Sequence, residues 1–285
     1  MKNKMFAVPM NLGANKAGID FGPEVLEEKF PEVFGNMELI EVEKKREDFN
    51  EQSLKYKNTI LHTCEKLAKA VNKAVKEGYR PITIGGDHSI ALGSISGVAK
   101  EKDNLGVIWI DAHGDMNTDE STESGHIHGM PLASLQGLGD KDLANCFFQG
   151  SKIKNENVVI LGARDIDEKE LEIIEKYGIK MINYTEVLEK GIDQILGEIK
   201  DYLKVEELHI SFDVDSIDPE FAPGVSTPVR SGFSPKEMFE TFTFLFDNYK
   251  ISSVDIVEYN PVNDKSEKTM NFVNELTEFV LNFKK

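Results

Sequence analysis

The stretch Val107 to Asp115, V-I-W-I-D-A-H-G-D, ends an apolar run abruptly and sets Asp111, His113 and Asp115 at alternate positions. In an extended backbone, residues two apart point to the same side. Two carboxylates and an imidazole are therefore aimed at one point beyond a strand's end, where open parallel sheets hold their ligands. These are ligand types for a divalent metal. Three more apolar runs end in the same kind of residue. Asp87 and His88 follow Arg80–Ile84, Asp213 and Asp215 follow Glu207–Phe212, and Glu258 follows Ile251–Val257.

Each residue taken singly has a plainer reading. An Asp after a strand serves as a helix cap or turn residue, a lone His as a hydrogen-bonded structural group, and a D-x-D pair arises by chance. The combination differs. Four carboxylates gathered at one sheet edge (Asp111, Asp115, Asp213 and Asp215) repel one another without a cation. Two divalent ions would balance their charge, with His88 and His113 completing six donors. An oxygen-rich, roughly octahedral set favours manganese, and the lack of thiolates argues against structural zinc. A hydroxide bridging two such ions is a strong nucleophile at neutral pH, which makes the reaction class hydrolysis.

The elements that must position these residues are legible as alternating strands and helices. Strands are expected at Phe6–Asn11, Met37–Val42, Arg80–Ile84, Leu105–Ile110, Val158–Gly162, Lys180–Asn183, Glu207–Phe212 and Ile251–Val257. Apolar residues three or four apart predict a helix from about Asn50 to Glu77, with Gly78 as its terminator. Further helices are expected near Pro23, at Ser89–Lys100, Met130–Leu138, Leu171–Tyr177, Gly191–Leu203 and Ser234–Tyr249, and from Glu267 onward. Ser234 and Pro235 read as a cap and first helical residue. The rhythm gives an α/β class with a mainly parallel central sheet flanked by helices. No linker, repeat or low-complexity tract divides the chain, so residues 1–285 read as one domain.

Composition bounds the function. The chain of 285 residues is 40% hydrophobic and carries a formal net charge of -17. That charge argues against a nucleic-acid partner and against an anionic membrane surface, and it is compatible with a cationic substrate. No window approaches the roughly 18 apolar residues of a membrane span. Cys64 and Cys146 are the only cysteines, which points to a reducing cytoplasm.

The motifs Gly85-Gly86-Asp87-His88-Ser89, Asp111-Ala112-His113-Gly114-Asp115-Met116-Asn117-Thr118, Ser124-Gly125-His126-Ile127-His128-Gly129, Ser211 to Pro219 and Val257-Glu258-Tyr259-Asn260-Pro261 stand in order along the chain. With the early segment Lys16 to Pro23, they resemble the ureohydrolase family, and within it the bacterial arginases. The resemblance covers nearly the whole chain and implies the three-layer arginase-like fold. It also implies two manganese ions per chain, held by His88, Asp111, His113, Asp115, Asp213 and Asp215, and hydrolysis of L-arginine to L-ornithine and urea. Glu258 matches the guanidinium-binding glutamate, since a carboxylate pairs bidentately with that planar fork. Asp115 is a candidate to orient attack and pass a proton to the leaving nitrogen. His128 matches the proton-shuttle histidine. Thr227 matches a substrate-side hydroxyl and serves equally well as a turn residue. A homo-oligomer, trimer or hexamer, is implied by the resemblance alone.

Substrate choice falls to the residues facing the α-amino and α-carboxylate ends. Asn117 and Ser124 match carboxylate-contacting positions, Asp167 the amino-contacting one, and Glu170 one that assists through water. Together they favour arginine over agmatine, which has no carboxylate. His126 departs from the family's usual Asn in the S-G-N-x-H-G loop, and Val225-Ser226 departs from its Gly-containing turn. An imidazole at 126 can donate to a carboxylate, most strongly when protonated, or fill the pocket and shift the substrate. The alternatives are an agmatinase or other guanidino-compound ureohydrolase, and a non-catalytic metal-binding protein on the same fold. A nucleotide-binding protein is weakly signalled, because Gly85-Gly86 does not form G-x-G-x-x-G.

Overall fold

The computed structural model describes residues 2–45 and 54–283. Among the described residues, eight strands form one parallel sheet: β1 Lys2–Val8, β2 Glu38–Leu39, β3 Tyr79–Gly85, β4 Gly106–Ile110, β5 Val158–Ala163, β6 Lys180–Asn183, β7 Glu207–Asp213 and β8 Lys250–Val257. Their spatial order is β2-β1-β3-β8-β7-β4-β5-β6. The strands that precede the chemistry-bearing residues, β3, β8, β7 and β4, are therefore neighbours at the centre of the sheet. Their C-terminal ends share one edge because every pairing is parallel.

Alternation along the strands divides two cores. Ile108 and Ile110 of β4, with Ile210 and Phe212 of β7, face one core, closed by the helices Gly22–Lys29, Ile192–Tyr202, Pro235–Asn248 and Lys268–Asn282. Val107 and Trp109 face the other, closed by Lys57–Lys76, Ala91–Ala99 and Glu168–Tyr177. A parallel sheet covered on both faces reads as near-continuous apolar runs. All five residues of β4 are buried accordingly. No helix among the described residues is long and apolar enough to cross a membrane.

The observed elements adjust the sequence reading mostly at boundaries. The first strand runs Lys2–Val8 rather than Phe6–Asn11. Its polar start is held by ladder pairing with Tyr79–Pro81, and its end comes before Pro9. The second strand shrinks to the exposed pair Glu38–Leu39, because β1 offers it only two register partners. The long helix runs Lys57–Lys76; the expected start near Asn50 lies outside the described residues. Gly78 follows that helix with φ +81°, as a C′ glycine should. The helix Tyr184–Lys190 was not foreseen. Seven residues are too few to show a period, although Asn183 caps them by accepting the Glu186 N–H at 2.9 Å.

One glycine is forced by position. A Cβ on Gly86 would lie 1.7 Å from the Met10 carbonyl oxygen. Its N–H donates to Val8 O at 2.8 Å, and its carbonyl accepts the Glu258 N–H at 2.7 Å. The ends of β1, β3 and β8 are thus drawn together where the functional groups emerge.

Candidate metal centre and substrate cavity

Two donor groups form at the central strand ends. His88, Asp111 and Asp213 make one, and Asp111, His113 and Asp215 the other, the donor atoms of each lying within 4.8 Å of one another. Asp111 belongs to both, which is the arrangement a binuclear site requires. His88 Nδ1 lies 3.0 Å from Asp111 Oδ2, 3.2 Å from Asp115 Oδ2 and 3.2 Å from Asp213 Oδ2. His113 Nδ1 lies 3.3 Å from Asp111 Oδ1 and 3.2 Å from Asp215 Oδ2. All six expected donors are brought together, with Asp115 joining through His88.

Local backbone geometry aims them. Asp111 accepts the His113 N–H at 2.7 Å, and Asp213 accepts the Asp215 N–H at 2.7 Å. Each is the tight turn that a strand-terminal Asp makes with the amide two residues on. Asp115 and Glu258 sit at φ +51° and +67°. For residues with a Cβ that costs of order 1–3 kcal/mol each, a strain that concentrates at functional sites. Asp87, grouped with His88 in the sequence reading, does not join the donors. It accepts the backbone N–H groups of Gly13, Ala14 and Ser89 and the Ser89 hydroxyl, so it serves as a cap and loop anchor.

Three supporting residues escaped the sequence reading. Trp109 stacks on His88 with ring centroids 4.0 Å apart and donates from Nε1 to Asp111 Oδ2 at 3.0 Å. Ser211 Oγ lies 2.8 Å from His88 Nε2, leaving Nδ1 toward the carboxylates. Both stand two residues before a ligand on the same strand face, so the alternation that found Asp111 and Asp213 could also have found them. Arg164 donates to the carbonyls of Gly162, Asp215, Val229 and Arg230, tying the 229–230 turn to the end of β7.

The electrostatics call for cations. Burial, then the charges of Asp215 and Asp111, push Asp213 well above the usual carboxylate range. Burial and the Asp111 charge push Asp115 up to about 6. Burial disfavours the charged forms of His88 and His113, yet the surrounding carboxylates raise both well above the ordinary imidazole value. His88 Nδ1 is buried without a hydrogen bond of good geometry. A buried set of imidazole nitrogens and carboxylate oxygens without thiolates fits two hard divalent cations, which would relieve this repulsion.

A cavity of about 270 Å³ opens above the clusters, lined by His113, Asp115, Asn117, Thr122, Ser124, His126, His128, Gly129, Asp165, Asp167, Glu170, Asp213, Asp215, Thr227 and Glu258. Every expected substrate residue lies on it. A larger hollow of about 720 Å³ beyond the Thr118–Ser121 turn carries no donor cluster among the described residues. Glu258 is buried. Its Oε1 accepts the His88 N–H at 2.9 Å and faces His128 Nδ1 at 3.4 Å, while Oε2 has no hydrogen-bond partner among the described residues. Burial works against the His128 imidazolium, but Glu258 raises it to about 9. Thr227 donates to Asp215 at 3.0 Å.

At the outer end, Asn117 donates to Asp167 at 2.9 Å, and Asp167 accepts the Glu170 N–H at 2.9 Å. Glu170 is buried and accepts the Met116 N–H at 2.8 Å; burial pushes its carboxyl up to about 8. Ser124 Oγ accepts the His126 N–H at 3.2 Å. Burial first, then the Lys55 charge, lowers the His126 pKa. The neutral imidazole is favoured, against the protonated option raised from sequence.

Residues 2–281 match the family model described as the arginase family. The arginase of Bacillus subtilis (strain 168) is 42% identical over 285 residues, covering 97% of this chain and 96% of its own. A crystal structure of arginase from Bacillus subtilis subsp. subtilis str. 168 superposes with TM-score 0.92 at 40% identity, covering 100% of this chain and 99% of the other. The Entamoeba histolytica arginase in complex with L-ornithine superposes with TM-score 0.88 at 33% identity, covering 98% and 99%.

Proposed function

This chain belongs to the arginase family, and we propose that it hydrolyses L-arginine to L-ornithine and urea with two manganese ions at the paired clusters. The observation that carries the reading is the single cavity joining the His/Asp clusters to the unpartnered Glu258 Oε2. A buried carboxylate oxygen without a donor beside a metal centre suits a guanidinium.

When bound, the divalent cations supply a water made nucleophilic near neutral pH. The chain's own residues do the rest. Glu258 holds the guanidinium fork, which turns its planar carbon toward the clusters. Asp115, buried at the cavity floor, orients attack and passes a proton to the leaving nitrogen. His128 carries protons between this pair and solvent. Thr227 lines the substrate side. Asn117, Ser124 and His126 receive the α-carboxylate, and Asp167 with Glu170 the α-ammonium. The same reading takes residues 1–285 as one domain, in a cytoplasmic homo-oligomer, trimer or hexamer; the two buried free cysteines accord with a reducing compartment.

The test is urea release from manganese-loaded protein given L-arginine, agmatine and guanidinobutyrate in parallel. Release from arginine is expected. Release from agmatine but not arginine would make the chain an agmatinase.

A further inference from the structure

The cavity is walled by acid. Asp115, Asp165, Asp167, Glu170, Asp213, Asp215 and Glu258 line it, with no lysine or arginine among the lining residues. Such a wall suits the cationic ends of an amino-acid substrate and opposes its α-carboxylate. Asn117 and Ser124 are neutral, and Asn117 is already engaged with Asp167 and with the Ser121 hydroxyl.

A cation stands behind the lining at His126. Lys55 Nζ lies 3.3 Å from His126 Nε2, and the Lys55 backbone N–H donates to the Gly125 carbonyl at 3.1 Å. Two residues on, Lys57 pairs with Asp140 at 3.1 Å and Asp142 at 2.9 Å. The backbone carrying Lys55 is therefore held on both sides. An ammonium offers only donors, so Nε2 is the acceptor of this pair and the ring proton resides on Nδ1.

We propose that Lys55, acting with His126, selects the α-carboxylate of the substrate by fixing His126 as an Nδ1–H donor and setting a positive charge at that end of the acidic cavity. This inference rests on the arginase reading. It distinguishes an amino acid from its decarboxylated amine by charge as well as by hydrogen bonding. Lys55 is exposed, so its effect is modest and screened by salt.

The test compares wild type with Lys55→Met and Lys55→Arg. In manganese-loaded protein, Lys55→Met should raise KM for L-arginine roughly three- to fivefold, the upper range for an exposed ion pair. Turnover should stay within about twofold by the same reasoning, and Lys55→Arg should restore KM. Calorimetry should show Lys55→Met weakening L-ornithine binding while putrescine, which lacks the carboxylate, binds as to wild type. Unchanged ornithine binding, or equal weakening of both ligands, overturns the proposal. A wild type that releases no urea from arginine overturns the underlying reading instead, and does so before any variant is made.

Discussion

His128 Nδ1 and Glu258 Oε1 face one another at 3.4 Å in the lining of the cavity. Glu258, ahead of the charges of Asp115 and Asp87, raises His128 to about 9 against the opposing effect of burial. Glu258→Gln removes the negative partner, so the imidazolium loses its support and the His128 pKa should fall, which NMR titration of the ring would follow. An unmoved pKa would assign the shift to other carboxylates. A guanidinium on Glu258 acts in the same direction. On the proposed reading, substrate binding should therefore bring His128 down toward working pH, where an acid–base group is most effective. His128→Asn should lower turnover by about 10²–10⁴-fold, the usual contribution of such a group, with two metal ions per chain retained. Metal loss would instead make His128 a ligand.

At the scale of elements, the site depends on how strands end and helices begin. Ser234 and Glu237 form a reciprocal capping box at the start of the helix Pro235–Asn248. Ser234→Ala should cost about 0.5–2 kcal/mol in urea unfolding and leave KM for arginine unchanged, because this helix packs on the core away from the cavity. That helix was legible from its Ser-Pro start and its period, as were the central strands from their apolar runs and acidic ends. Legibility failed where the determinant is not local. Lys55 reaches His126 across 71 positions, and no pattern within either segment signals that contact. Asp87, left out of the six expected donors, shows the same limit from the other side. Its partners Gly13 and Ala14 lie on a distant loop, while its sequence context is that of a ligand. The strand Glu38–Leu39 was overdrawn because an edge strand's length is set by its neighbour.

For the whole molecule, the proposed metal binding should be coupled to folding. The clusters and the adjoining Asp115 bring four aspartates from two strand ends into one buried space, and cations bound there would stabilise only the folded state. Stripping the protein with a chelator should lower its melting midpoint, and adding back manganese should restore it in a concentration-dependent way. A midpoint indifferent to metal would mean that the clusters do not hold ions in the folded protein.

The strand order also has a consequence in time. β8, the last of the described strands in chain order, lies between β3 and β7, pairing Ile82 with Val254. Until it inserts, His88 on one side and the Asp111–Asp213 pair on the other have no common scaffold. Contacts so distant along the chain form late and slowly. The Asp111–His113–Asp215 group can form as soon as β4 and β7 pair, whereas the group that needs His88 is completed only after residue 257 is free, so the paired centre should be assembled in two stages, the second marking molecules whose sheet is complete.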